Sequence, residues 1–480
     1  MRLLTARCLL IFALTVVVAG CRSASSPPTL NPTSGVSLFS PTLGPIASPS
    51  VEAASTNVPT EPAIASPSTL TTSDASAVID QLNREISPLA TTDPDAPLTD
   101  LTPLDQIIGD AQIVGIGEAT HGTHEFMTMH ERMTRYLITE RGFRIVALEA
   151  PASVVVGIDQ YVQGETNDAS AVQASLGSFW FYGLANTDFW HWVTWLSAYN
   201  QHADPAAVVH VVGIDPQENR KLAPALISEY LTPVDPDLSI SLAKMYRTAQ
   251  AATGTDTGVN QSKAALAALL EAQPRLVAAS SQRAFDQAVY LAQTIVQDQQ
   301  LRGGTAGVAG GADGLRDQQM ADNVTWVLDH AHPAARIVVW AHNEHVMTSE
   351  PPTNPTALAM GGFLRQRYGE RYRAIAQTFA RGNYVAYPAG TTTPSPTTFT
   401  FPTYPSTVAT ALLAQLAAPR FLLNVRAVPA ASAAGQWLRT PTTLPFVGAT
   451  NAPMRLETVT ITDSYDALCF IADTTAITPL

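Results

Sequence analysis

The chain has 480 residues, 46% of them hydrophobic and 14% charged, with a net charge of −13. That is ample material for a large core, in anything from one large α/β domain to three smaller ones. The acidic balance excludes the clustered Lys and Arg of a nucleic-acid-binding surface, and Cys8, Cys21 and Cys469 cannot make a disulfide framework. The first element in chain order is "MRLLTARCLLIFALTVVVAGC", with basic residues at Arg2 and Arg7. Its apolar stretch is too short for a comfortable membrane span.

That element closes on Val18-Ala19-Gly20-Cys21, which resembles the bacterial lipobox. The resemblance implies cleavage before Cys21, lipidation of Cys21, and an exported protein held at the cell envelope by acyl chains. A membrane anchor with an incidental cysteine is the competing reading. From 22 to 76 the sequence is Ser, Thr, Pro and Ala with almost no charge or aromatic residue, the composition of a flexible linker. The folded domain is expected over 77–480, opening on "SAVIDQLNREISPL" as a short amphipathic helix.

"PLDQIIGDAQIVGIGEA" then predicts a helix and a first buried strand. "HEFMTMHERMTRYLITERGF" follows, with Phe126, Met129, Met133, Tyr136 and Leu137 at helical spacing. Glu125 in its first turn and Gly142 near its end suit a capped helix. "RIVALEA", "AVVHVVGID" and "ARIVVWAHNEHV" are further apolar runs, ending at Glu149, Asp215 and His342. Val/Ile-rich runs alternating with helices predict an α/β fold, with a central, mostly parallel sheet flanked by helices. The Ala-, Gln- and Leu-rich segment at about 222–301 predicts a helical insertion, either a lid over a cleft or a layer covering the sheet. Late strands are expected at "RYRAIAQTFA", "RFLLNVRA" and "DALCFIAD".

In an open α/β sheet, ligands bind beyond the carboxyl ends of the strands. Four predicted strands end on Glu118, Glu149, Asp215 and His342, with His121 and His345 each three residues further on. A parallel sheet turns these groups toward one another along one edge, which is the expected active site. Each has a plainer reading. Glu118 and His121 could satisfy each other at a turn, Asp215 before Pro216 could form a turn, and His124 and His130 could be polar helix positions. The aromatic segment "FWFYGLANTDFWHWVTWL", over 179–195 and beyond, could line a broad apolar cleft or pack as core.

There is no GxSxG, Walker loop or GxGxxG, and Cys469 sits in an apolar run. What remains is water activated by histidine and carboxylate, with a second His or an Arg at the oxyanion. No cofactor is expected. A metal is not expected either, although two HxxH pairs with Glu118 and Glu149 could assemble a zinc site.

"GEATHGTHEF", "VALE", "VGID", "RDQQMADNVTWV" and "VVWAHNEHV", in that order, resemble the motif series of the erythromycin esterase family. The resemblance covers roughly Leu101 to the C-terminus. It implies hydrolytic opening of a macrolide lactone by an activated water, with no covalent intermediate. Glu118 and His121 match the GEATHG motif, with His121 as the base. Glu149 matches the glutamate ending the second strand, and His342 the histidine of the WAHN motif. Arg316 matches the arginine of the RD motif, expected to orient the substrate or a carboxylate. Asp215, His345 and His130 are further candidates for substrate contact. His130 stands where the family usually carries Arg or Lys, so a permanent cation is exchanged for a titratable group. The expectation is therefore a lipid-anchored esterase acting on a small-molecule ester, with His121, Glu118, Glu149 and His342 catalytic. The rivals are a metal-dependent hydrolase and a non-catalytic envelope binding protein.

Overall fold

The computed structural model describes residues 72–480, apart from 179–182, 304–307, 332–333, 391–394, 402–407 and 452–455. The expected signal peptide, Cys21 and all but the last residues of the expected linker lie outside the described residues. Among those described, no helix is long and apolar enough to cross a membrane.

The sheet is built on four strands whose side chains are almost wholly apolar. They are β2 (Ile113–Glu118), β3 (Ile145–Pro151), β4 (His210–Asp215) and β5 (Ile337–His342), following a short edge strand, β1 (Ile86–Pro88). After them come β6 (Tyr372–Pro388), β7 (Thr397–Phe401), β8 (Arg420–Asn424), β9 (Thr442–Pro445), β10 (Thr450–Asn451), β11 (Leu456–Val459) and β12 (Ala467–Thr474). The main sheet runs β1-β8-β12-β6-β2-β5-β3-β4, and every neighbouring pair from β12 to β4 is parallel. The expected fold class holds.

A parallel sheet needs both faces covered, and β5 shows how the sequence arranges it. Val338 and Trp340 face one core; Ile337, Val339 and Ala341 face the other. The first core holds α2 (Leu104–Ile108), α3 (His124–Arg141), α4 (Ala152–Val162), α5 (Ala169–Ser178) and α6 (Thr187–His202). α1 (Thr72–Glu85) lies on the second core. Its helix ends sooner than its amphipathic pattern suggests, because Ile86–Pro88 instead pairs antiparallel with β8 at the sheet edge.

The helical insertion comprises α7 (Asn219–Leu231), α8 (Pro236–Ala251), α9 (Asp256–Glu271), α10 (Gln273–Ala279) and α11 (Gln282–Arg302). It packs as a third apolar cluster, and Tyr290 donates to the Gly213 carbonyl at 2.7 Å. Among the described residues none from 219–302 lines the catalytic cavity, and the insertion packs on α4 through α7 and α11. α12 (Gly311–His330), the one-turn α13 (Asn343–Val346) and α14 (Met360–Tyr368) also pack on the second face.

Two glycines in the first motif hold close approaches. A Cβ on Gly117 would lie 2.3 Å from Asn343 Oδ1, where α13 crosses β2. A Cβ on Gly122 would lie 2.0 Å from the Val385 carbonyl, while the Gly122 carbonyl accepts from Val385 N and Ile477 N at 2.9 and 3.1 Å. Because the obstacle is backbone, Gly122→Ala is expected to lower stability by about 1–3 kcal/mol, the usual cost of overpacking. Chemical denaturation measures it; an unchanged midpoint would refute the tight packing.

Candidate active site

Glu118 closes β2 with only 5% of its surface exposed. A carboxylate there is costly unless paired. The turn that follows brings His121 back, with Nδ1 2.9 Å from Glu118 Oε1, and α3 brings His130, with Nε2 2.8 Å from Oε2. Burial pushes the Glu118 carboxyl up, but the two imidazole hydrogen bonds outweigh it and hold it at about 2. With Nδ1–H of His121 given to Glu118, the basic lone pair of that ring is at Nε2.

β3 and β4 contribute a second cluster. Arg316, from α12, donates Nη2–H to Glu149 Oε1 and to Asp215 Oδ2, both at 2.7 Å, and Nε–H to Asp215 Oδ1 at 3.2 Å. His345 stands between Asp317 and Glu149, with Nδ1 2.7 Å from Asp317 Oδ1 and Nε2 3.2 Å from Glu149 Oε1. Its Nε2 is also 2.9 Å from Arg316 Nη1. Burial lowers the His345 imidazole and the guanidinium lowers it further. The two carboxylates prevail and raise it well above the usual range. Burial likewise raises Glu149, but His345 and Arg316 carry it well below the carboxylate range.

His342 joins the clusters. Its backbone N–H donates to Glu149 Oε2 at 2.8 Å, and its ring centroid is 5.1 Å from that of His121. Burial, then the neighbouring His121, lowers its pKa to about 3. Nδ1 faces the Glu344 backbone N–H at 3.4 Å, which leaves the ring proton on Nε2. That Nε2 is buried with no hydrogen-bond partner, in a residue 2% exposed. An orphaned buried donor is costly, and one beside a base is suited to a developing oxyanion.

Two cavities meet at these residues. A recess of about 20 Å³ lies against Glu118, His121, His130 and Glu149, walled by Met127, Leu148 and Trp340. It has room for about one water. A larger cavity of about 320 Å³ shares His121 and Glu149 with it and includes Asp215, Arg316, His342 and His345.

All eight predicted site residues outside the lipobox therefore come together, but their neighbours redefine some of them. His130 is fully buried, its ring tilted against Trp340 at 4.7 Å and hydrogen-bonded to Glu118, so it orients that carboxylate and does not touch the larger cavity. Arg316 bridges carboxylates. His124 is turned away onto Asp188 at 2.8 Å, which removes it from any HxxH ligand pair with His121. In the aromatic segment, residues 179–182 lie outside the described residues. Phe189 and Trp192 are core against Trp340, and Trp195 lies under the Arg135 guanidinium. Sequence reasoning missed Asp317, although it adjoins Arg316 in the quoted RD pair. Only the structure shows that its carboxylate fixes His345.

Glu118, His121 and Glu149 offer ligand atoms within 4.8 Å of one another, a possible metal triad. Their carboxylate oxygens are already engaged by His121, His130, Arg316 and the His342 N–H. A cation there would share the carboxylate lone pairs with those donors and would meet His121 only through Nε2, Nδ1 being held by Glu118.

The geometry predicts how His342 tolerates change. His342→Gln keeps an N–H donor near the same place, whereas His342→Ala removes it. The alanine variant should lose about 10²–10³-fold in kcat, the cost of an oxyanion donor, and the glutamine variant much less. Since His342 stays neutral above about pH 4, His342→Gln should also keep the wild-type acid limb of the pH profile. Equal losses would remove His342 from that role.

Comparison with known proteins decides the family. The family model described as erythromycin esterase matches residues 138–474. The chain belongs to the erythromycin esterase family. The match spans Glu149, Asp215, Arg316, His342 and His345, while Glu118 and His121 precede it. Erythromycin esterase type II of Escherichia coli is 25% identical over 329 residues, covering 63% of this chain and 77% of that protein. Among solved structures, a Bacillus cereus protein superposes with a TM-score of 0.75 at 23% identity, over 85% of this chain and 99% of its own. A succinoglycan biosynthesis protein gives 0.73 at 21%, over 85% and 100%. A variant of erythromycin esterase EreC in its open conformation gives 0.58 at 18%, over 81% and 97%. These three likenesses are of fold. Membership of the erythromycin esterase family makes the chain a hydrolase acting on esters, with a small-molecule substrate.

Proposed function

We propose that the protein hydrolyses a carboxylic ester, with macrolide lactones as the first substrates to test, using water activated by the Glu118–His121 pair. The observation that carries this is the imidazole of His121, paired with Glu118, and the ring of His342 5.1 Å from it, both lining one cavity. His121 Nε2 takes a proton from water, and Glu118 stabilises the resulting imidazolium. Hydroxide adds to the ester carbonyl carbon, and the carbonyl oxygen, now negative, receives the His342 N–H. Collapse breaks the acyl C–O bond, and His121 returns its proton to the leaving alkoxide. A lactone opens to a hydroxy acid with the elements of one water added. Glu149 holds the His342 backbone and is itself held by Arg316 and His345.

The lipobox-like "VAGC" supports an exported, lipid-anchored protein. At the envelope such an enzyme would destroy a macrolide before entry, which is a route to antibiotic resistance. The test is incubation of the purified protein with erythromycin and a panel of simple lactones and linear esters, followed by mass spectrometry. Gain of one water that survives a chelator supports the metal-free hydrolase. Gain of water abolished by the chelator and restored by metal would replace it with a metal-dependent one. No product from any ester would overturn it.

A further inference from the structure

We infer that Glu125 is a positioning residue for the base: its carboxylate ties the start of α3 to Thr475 and so holds His121 in place against Glu118. This deepens the esterase reading and rests on its choice of His121. Glu125 has a plainer role, as an acid in the first turn of a helix, where the dipole favours negative charge. The structure gives its carboxylate two partners from outside that helix. Oε2 accepts from the Thr475 backbone N–H at 2.7 Å, and Oε1 accepts from the Thr475 hydroxyl at 2.8 Å. The Thr475 carbonyl in turn accepts from His124 N at 2.9 Å. The N–H, hydroxyl and carbonyl of Thr475 thus all engage the first two residues of α3.

Thr475 is itself placed by the sheet. It directly follows β12, which runs in register with β6 from Ala467 opposite Ile375 to Thr474 opposite Gly382. β6 pairs in turn with β2, and Glu118 ends β2. The contact therefore closes a ring. From Glu118 it passes through the loop at His121 into α3, crosses from Glu125 to Thr475, and returns through β12 and β6. Three of its members are paired strands, and the loop at His121 is the irregular one. That loop is pinned at the Ala119 carbonyl by Val447 N and at the Gly122 carbonyl by Val385 N and Ile477 N. Glu125 fixes the helix end into which it runs. The distance at stake is the 2.9 Å between His121 Nδ1 and Glu118 Oε1. Displacing a reacting group by about 1 Å can cost roughly 10²-fold in rate.

The experiment compares Glu125→Ala with Glu125→Gln in the full chain. Glutamine removes the charge but keeps an acceptor for the Thr475 N–H and a partner for its hydroxyl, whereas alanine removes everything. Glu125→Ala is expected to lose about 10- to 100-fold in kcat, with KM within about twofold, on any ester the wild type hydrolyses. Glu125→Gln should stay within about threefold of wild type, and Thr475→Val, which removes one of the bonds, should fall between. Equal losses in the alanine and glutamine variants would assign Glu125 to the helix dipole and overturn the inference, as would no loss in either. NMR of the histidine ring nitrogens supplies a readout independent of turnover, with the His121 signal identified by its absence from His121→Ala. Wild type and Glu125→Gln should show His121 protonated at Nδ1, and Glu125→Ala a signal averaged between the two tautomers. Should the wild type hydrolyse no ester, the esterase reading falls and the spectrum alone decides. A His121 signal unchanged in Glu125→Ala then overturns the inference, and an averaged one upholds the placement of the ring by Glu125.

Discussion

Replacing His121 with Ala is expected to lower kcat by about 10²–10⁴-fold on any ester the wild type hydrolyses, the span of a general base. The loss should fall on kcat more than on KM, because the ring handles the proton and the cavity walls are otherwise intact. His121 is also one of two hydrogen-bond donors that hold Glu118 at about 2. Its loss should therefore cost about 1–3 kcal/mol of stability as well, read by urea denaturation. His130 still pairs the carboxylate, so the variant should fold. Activity within tenfold of wild type in a folded His121→Ala protein would move the base elsewhere in the cluster.

Arg316→Met should act first on the fold. The guanidinium joins the ends of β3 and β4 through Glu149 and Asp215, both largely buried, and the carboxylates raise its pKa well above normal against the opposing effect of burial. Removing one partner of a buried ion pair typically costs about 3–5 kcal/mol, because the remaining charges lose their compensation. Here two carboxylates are left with His345 as the neighbouring cation. A fall of that size in unfolding free energy at neutral pH is expected, with activity lost alongside as Glu149 releases the His342 N–H. Much of the stability should return in Arg316→Met, Asp215→Asn, which removes one of the stranded charges. A single variant as stable as wild type would show that the bridge contributes little.

Much of this architecture was legible because its signals are local. β2, β3, β4 and β5 are each a short apolar run; Glu118, Asp215 and His342 stand where their strands stop, and Glu149 two residues before the end of β3. Glu118 and His121 are close in sequence and meet within one turn. The rest depends on contacts no pattern encodes. His130 looked like a substrate-facing helix position, yet α3 carries it under Trp340 to the far oxygen of Glu118. Asp317 follows Arg316 in sequence but serves a different partner, and only the fold, which brings α12 to His345 of α13, reveals which. The aromatic run suggested an apolar cleft. Its best-buried rings went into the core, and the cavity is lined by acids. The edge pairing of Ile86–Pro88 with β8 likewise joins segments more than three hundred residues apart.

The loop that carries His121 is held by the far end of the chain. Ile477 N–H binds the Gly122 carbonyl, Thr123 bridges Ala476, and Thr475 N–H donates to Glu125 Oε2 across 350 residues. Contacts of such long range form late and slow folding. The loop bearing the base is therefore among the last parts of the fold to settle, fixed only once the segment after β12 has docked.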